Sequence, residues 1–171
     1  RASEIYGEIL AADSTETRAL FQLGVALERQ GRFEESLDVF RRLVKLDPDH
    51  DGALNYMGYM CIERGVHIKE AMSWVERALD EEPEAPAYLD SLGWGYFQLG
   101  RYEDAARWLR KAVENGGRQP EILLHLAAAL ERLGEPGEAA RLARQVLAGD
   151  PENAEARRIL EGLAEPGGDD R

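Results

Sequence analysis

The amino-acid sequence predicts an all-α protein, built as an α-solenoid of antiparallel helix pairs, and three observations support this. Four glycines recur at intervals of 34, 35 and 34 residues, a second glycine set follows the same period, and each period contains two stretches with apolar residues three and four positions apart. This spacing places apolar side chains on one face of a helix. A period near 34 residues is typical of helix pairs that must stack on their neighbours.

The period divides the chain into four complete repeats, which we expect to form a single array over residues 1–165. The repeats run over residues 17–50, 51–84, 85–119 and 120–153. The period-setting glycines, Gly31, Gly65, Gly100 and Gly134, follow the first helix of each repeat. Glycine adopts the left-handed cap of a helix without steric strain, so these positions predict where each first helix ends.

The second glycine set lies on the apolar face of the first helix. Gly24, Gly58 and Gly93 are its members, and Ala127 stands at the matching position of the fourth repeat. We expect these small residues to let the two helices of a pair approach closely. The second helix ends near Pro48, Pro83 or Pro151 in three of the repeats, because proline cannot continue a helix.

The two ends of the chain do not form complete repeats. Residues 1–16 fit the second-helix pattern, so we expect a fragment that begins halfway through a repeat. Residues 154–165 predict one further helix, which would cap the array with a polar outer face. Residues 166–171 are glycine-rich and charged, and we expect them to be disordered.

The composition excludes several functions. The chain has 33 acidic and 21 basic residues and a net charge of −12, which repels nucleic acid and favours a basic partner. A second interpretation is that the acidic residues only keep the outer faces hydrated. No apolar run is long enough to cross a bilayer, so we expect no membrane insertion by this segment.

The sequence predicts neither an enzyme nor a metal site. The histidines, His50, His67 and His125, lack a metal-ligand spacing, so we expect no metal and no cofactor. Asp90, Ser91 and His125 could supply a hydrolase triad on paper. However, adjacent helical residues such as Asp90 and Ser91 point about 100° apart, and no Gly-x-Ser-x-Gly motif surrounds Ser91.

These repeats resemble the tetratricopeptide repeat (TPR) family. The family pattern is a large apolar residue, Leu-Gly, an aromatic residue, a later alanine, another aromatic residue and a closing proline, and "LDSLGWGYFQLGRYEDAARWLRKAV" follows it well. The second repeat has one extra residue in its turn, and the third lacks the closing proline. The resemblance implies a right-handed TPR superhelix, and the wording of the second and third repeats is similar to that of bacterial scaffold or adaptor proteins. Such a role leaves the cell envelope, the periplasm and the cytoplasm open as locations.

The resemblance also implies a concave groove that is lined by the first helices. The residues that we place in it are Phe21, Val25, Asn55, Tyr56, Tyr59, Ile62, Asp90, Trp94, Phe97 and His125. The apolar members of the middle repeats would form an exposed patch with a polar fringe, as at the centre and rim of an interface. The predicted patch comprises Tyr56, Tyr59, Ile62, Trp94 and Phe97, and the fringe comprises Asn55, Asp90, Ser91 and His125.

Aromatic residues at helical spacing also pack against neighbouring helices. For Tyr56 and Phe97 both interpretations stay open, whereas Tyr59 and Trp94 favour the groove. The lysine and asparagine pairs with which chaperone-binding TPR modules hold a C-terminal carboxylate are missing from the matching positions. We therefore expect a partner with an apolar or aromatic segment and a basic group.

Two functions are compatible with these residues. The first is a module that binds a protein or peptide in the groove without chemistry of its own. The second is a structural element that self-associates through its repeat ends, because Tyr6 and Ile9 would lack the helix that covers them.

Overall fold

A computed structural model of the chain describes residues 17–164, and these residues form nine helices without a strand. The predicted all-α fold is confirmed. The helix predicted for residues 1–16 and the tail predicted for residues 166–171 lie outside the described residues. The helices are α1 (Thr17–Arg29), α2 (Phe33–Leu46), α3 (Asp51–Glu63), α4 (Ile68–Glu81), α5 (Pro86–Gln98), α6 (Tyr102–Glu114), α7 (Pro120–Leu133), α8 (Pro136–Gly149) and α9 (Ala154–Ala164).

The described residues divide into two compact units, unit 1 up to residue 82 and unit 2 from residue 83 onward. In unit 1, α1 packs on α2, α2 on α3, and α3 on α4. In unit 2, α5 packs on α6 and α7, while α7 also contacts α6, α8 and α9. Each complete repeat is thus a packed helix pair, with α1, α3, α5 and α7 as the first helices.

Each first helix ends in the left-handed glycine turn that the period predicts. Gly31, Gly65, Gly100 and Gly134 have φ angles of 74°, 67°, 73° and 73°. The next backbone N–H then donates to the carbonyl five residues back, as from Arg32 to Leu27 at 3.0 Å. This bond satisfies a carbonyl that the helix end would otherwise leave unpaired.

The second glycine set brings the helices of a pair together. A Cβ on Gly24 would lie 2.7 Å from the Phe40 ring, and one on Gly93 would lie 2.7 Å from Leu109. Both distances are shorter than any side-chain contact allows. Glycine at these positions therefore determines how closely α1 approaches α2 and α5 approaches α6.

Alanine, leucine and other aliphatic side chains of α6, α7, α8 and α9 form the core of unit 2. Phe97 is only partly buried and packs against this core. Among residues 17–164 the longest helices have 14 residues, and none combines the length and apolarity that crossing a bilayer requires.

Candidate functional site

The predicted groove residues of unit 1, Phe21 and Tyr56, lie in a cluster of four rings with Phe40 and His50, which we call the Phe21 cluster. The centroid of Phe21 is 5.6 Å from that of Phe40, edge to face, and 5.6 Å from that of His50, with parallel planes. Tyr56 lies 5.2 Å from Phe40, which is 0% exposed. Phe21 and Tyr56 are half-buried, so they cover the interior of unit 1.

His50 joins the Phe21 cluster to the start of α3. Its Nδ1 accepts a hydrogen bond from the backbone N–H of Ala53 at 3.2 Å. A nitrogen that accepts has no proton, so the neutral ring carries its proton on Nε2. The imidazole therefore caps the helix while it stacks on Phe21.

The hydroxyl of Tyr56 belongs to a polar chain. It donates to Glu28 Oε2 at 3.5 Å, and Glu28 Oε1 is 3.3 Å from Arg64 Nη2. Burial raises the pKa of Tyr56, and the Glu28 carboxylate raises it further. The phenol is thereby held in its neutral, donating form.

The other predicted groove residues of unit 1 differ in burial. Val25, Asn55 and Tyr59 are half-buried, but Ile62 is 0% exposed. The prediction that Ile62 contributes to an exposed patch is therefore wrong, since an aliphatic side chain without a polar atom gains free energy from complete burial. Asn55 Oδ1 is buried and has no hydrogen-bond partner among the described residues.

In unit 2, Asp90 of α5 and His125 of α7 form a buried pair. His125 Nδ1 is 3.0 Å from Asp90 Oδ1 and 3.2 Å from Oδ2, and the two side chains are 12% and 7% exposed. The predicted polar fringe is thus wrong for Asp90 and Ser91, which are buried because each has a partner inside unit 2. Ser91 Oγ donates to the Ala87 carbonyl at 2.9 Å.

These contacts test whether Asp90, Ser91 and His125 form the hydrolase triad that their residue types allow. Asp90 and His125 meet, but the hydroxyl of Ser91 is committed to its own helix. The pair therefore orients an imidazole and holds a proton on Nδ1, but Ser91 is not available to it as a nucleophile. Within residues 17–164, no group of three or more histidine, cysteine or acidic side chains is placed to hold a metal ion.

A series of π groups in contact runs through unit 2, from His125 through Trp94, Phe97 and Tyr102 to Arg132, and we call it the Trp94 ladder. The ring centroids of His125 and Trp94 are 4.0 Å apart, and those of Trp94 and Phe97 are 4.4 Å apart, both within 10° of parallel. Tyr102 is 5.3 Å from Phe97, and the Arg132 guanidinium is 4.3 Å from the Tyr102 centroid. The three aromatic residues of the ladder are half-buried.

Two stacked neighbours restrict how a ligand could reach Trp94. Parallel rings so close to one indole would overlap each other on the same face, so we place Phe97 and His125 on opposite faces. The buried indole N–H of Trp94 has no acceptor among the described residues. Trp108 on α6 is also half-buried, and its indole N–H likewise has no acceptor in the part of the chain that the structure describes, so this feature alone does not distinguish the two residues.

Carboxylates surround the His125 end of the Trp94 ladder. Glu155 of α9 has a lowered pKa, chiefly through its hydrogen bond with Arg158 and to a smaller degree through the charge that His125 carries when it is protonated. Glu121 lies one turn before His125 on α7, and the repeat pattern predicts that Glu121 and Glu131 face the groove. The His125 end of the Trp94 ladder is therefore acidic as well as aromatic.

Sequence reasoning missed three residues of these clusters. His50 was considered only as a possible metal ligand, and Tyr102 and Arg132 were not connected with Trp94. The sequence does place Tyr102 directly after the glycine turn that follows α5, and it places Arg132 seven residues, about two helical turns, after His125. Those spacings could have suggested that both residues approach the aromatic face of α5.

Comparison with known proteins identifies the repeat that the chain contains. The family model for the tetratricopeptide repeat matches residues 8–150. A TPR repeat-containing protein of Pseudomonas aeruginosa is 30% identical over 88 residues, which is 52% of this chain. The chain spans only 15% of the length of that relative.

Solved structures show the same fold. A thermophilic TPR protein of Thermus thermophilus superposes with a TM-score of 0.77 at 21% identity, covering 94% of this chain and 88% of the other. YrrB, described as a TPR protein with an unusual peptide-binding site, gives a TM-score of 0.72 at 20% identity, covering 94% of this chain and 82% of the other.

Proposed function

Because this chain belongs to the tetratricopeptide repeat family, we propose that it is a protein–protein interaction module without catalytic activity. It binds a partner polypeptide on the first helices, in the predicted groove, and acts as a scaffold or adaptor. The observation that supports this best is the Trp94 ladder, which keeps large aromatic side chains half-buried instead of enclosing them. Such residues are typical of the energetic centre of protein interfaces. YrrB provides a precedent for peptide binding by a TPR protein.

Charge favours a basic partner. The chain carries a net charge of −12, and α5 contains Asp90 but neither lysine nor arginine. On α7, Glu121 and Glu131 share the predicted groove face with Arg132, whose guanidinium already lies over Tyr102. A ligand carboxylate would be repelled here, whereas lysine or arginine next to an apolar side chain would be attracted.

A direct test uses fluorescein-labelled synthetic peptides of about twelve residues, in which leucine and phenylalanine alternate with lysine. A second set replaces each lysine by glutamate. We expect the lysine set to bind and the glutamate set to bind at least about tenfold more weakly, because the surface is acidic. Equal binding of both sets would contradict the proposed partner chemistry.

The site itself is tested by Trp94→Ala, with Trp108→Ala as the matched control. Both tryptophans are half-buried in the same repeat, but Trp108 lies on α6 beneath the Lys111 ammonium, 5.1 Å from its ring centroid. We expect Trp94→Ala to weaken peptide binding by about tenfold or more and Trp108→Ala to change it less than about twofold. Equal losses would place the binding site elsewhere, and self-association without peptide binding would favour a structural role.

A further inference from the structure

We propose that protonation of His125 regulates partner binding on the Trp94 ladder: the neutral imidazole permits a basic segment to bind, and the imidazolium weakens that binding. This inference rests on the proposed function for the chemistry of the partner. Its structural basis, a buried histidine and carboxylate pair next to Trp94, does not depend on any partner.

The position of the proton follows from the geometry. A carboxylate only accepts hydrogen bonds, so Nδ1 of the neutral ring already carries the proton that points to Asp90. A second proton must therefore bind to Nε2, and the bond to Asp90 is kept. Acidification then changes the net charge of the pair from −1 to 0 without separating α5 from α7.

The groups around His125 favour this titration. Asp90 faces His125 from α5, and Glu121 lies one turn before it on α7. Glu155 of α9 interacts electrostatically with the protonated ring. The Arg158 guanidinium is bound to Glu155 at 2.7 Å and partly offsets that carboxylate. The α6 and α8 helices contribute aliphatic side chains to the core around α7.

Protonation of His125 also affects Trp94 directly. The imidazole stacks on the indole at 4.0 Å, and a cation over an indole face is stabilised by the ring. Protonation therefore reinforces the Trp94 ladder while it removes one net negative charge from the buried pair beside it. A basic ligand loses attraction to the surface, and we expect about a three- to tenfold loss of affinity for one charge near a partly screened site.

A first experiment needs no ligand. The double variant Trp74→Phe, Trp108→Phe leaves Trp94 as the one remaining tryptophan of the three in the chain. We expect its emission to change in a single one-proton transition between about pH 8 and about pH 5, because a stacked imidazolium quenches indole emission. His125→Asn should abolish the transition, since its amide still donates to Asp90 but does not titrate.

Two further variants show which groups are responsible. Asp90→Asn should move the transition to lower pH, because the amide no longer stabilises the imidazolium. His67→Gln, which removes an exposed histidine from the turn before α4, should leave the transition unchanged. A transition that persists in the His125→Asn background would overturn the inference.

The second experiment measures the affinity of the protein for the lysine set of peptides described above, at about pH 8 and about pH 5. We expect a three- to tenfold weaker affinity at the lower pH for the wild-type protein and less than a twofold change for His125→Asn. An equal pH effect in both proteins would refute regulation by His125 and leave the proposed function intact. Absence of binding at either pH would refute the proposed function, and this inference with it.

Discussion

The Phe21 cluster of unit 1 and the Trp94 ladder of unit 2 both contain predicted groove residues but differ in construction. The Phe21 cluster surrounds Phe40, which is 0% exposed, so its rings extend the interior outward. The Trp94 ladder has no fully buried ring and ends in two groups that carry or can carry positive charge, His125 and Arg132. An aromatic residue at a groove position is therefore not by itself a binding residue.

The histidines show the same contrast. His50 accepts through Nδ1 and supports the start of one helix, whereas His125 donates through Nδ1 and joins two helices. The former is a structural cap, and the latter is placed beside the proposed binding surface. The hydrogen-bonding role of the histidine Nδ1 thus differs between the packing cluster and the candidate site.

The largest expected effect comes from removing the ring at the centre of the Phe21 cluster. Phe40→Ala should cost about 3–5 kcal/mol of unfolding free energy, because it leaves a cavity beneath Phe21 and Tyr56. Phe97→Ala should cost about half as much, since Phe97 is only half-buried. Urea denaturation measures both, with Leu46→Ala, an exposed position on α2, as a control. Equal losses of unfolding free energy in Phe40→Ala and Phe97→Ala would contradict the proposed difference between the Phe21 cluster and the Trp94 ladder.

Removing the carboxylate of the buried pair should have the next largest effect. Asp90→Ala leaves the Nδ1–H of His125 without its acceptor and should cost about 1–3 kcal/mol. Asp90→Asn should cost less, because an amide oxygen can still accept. Denaturation at neutral pH compares the two variants, and indistinguishable costs would show that the hydrogen bond contributes little.

Loss of the helix cap in unit 1 should have a smaller effect. His50→Ala removes the acceptor for the Ala53 N–H and should cost about 1 kcal/mol. His50→Asn should recover most of that loss, because asparagine is a good capping residue. The comparison of their unfolding free energies separates the cap from the stacking on Phe21, and a full loss in His50→Asn would assign the effect to stacking.

Alkaline pH should produce the smallest effect, confined to the Phe21 cluster. The pKa of Tyr56 is raised in the folded protein, first by burial and then by Glu28, so the unfolded chain releases this proton at lower pH. Its contribution is complete below the pKa of an unfolded tyrosine, about 10, and is lost as pH rises from there through the folded pKa. Unfolding free energies of the wild type and Tyr56→Phe should therefore converge above about pH 10. A constant difference would contradict the assignment.

The sequence was sufficient for the features that repeat. The left-handed turns at Gly31 and its equivalents, and the close helix contact at Gly24, follow from local backbone sterics that any copy of the motif shares. Repetition makes such signals stronger. The helix pairs, and the glycine turns that follow the first helices, could therefore be predicted.

The clusters could not be predicted in the same way, because they depend on side-chain rotamers of neighbouring helices. The sequence placed Asp90 and His125 on adjacent first helices, but it did not show that their pairing buries both. Ile62 and Tyr59 share a helix face by spacing, yet only Ile62 is fully enclosed. Burial at these positions is decided by contacts across helices.

The most direct test of the Trp94 ladder as a binding surface is the indole region of a ¹H–¹⁵N correlation spectrum. The three tryptophans, Trp74, Trp94 and Trp108, give three assignable signals. On titration with a peptide of the lysine set, we expect the Trp94 signal to shift while the other two signals stay in place. A shift of Trp108 or Trp74 with an unmoved Trp94 signal would contradict the account.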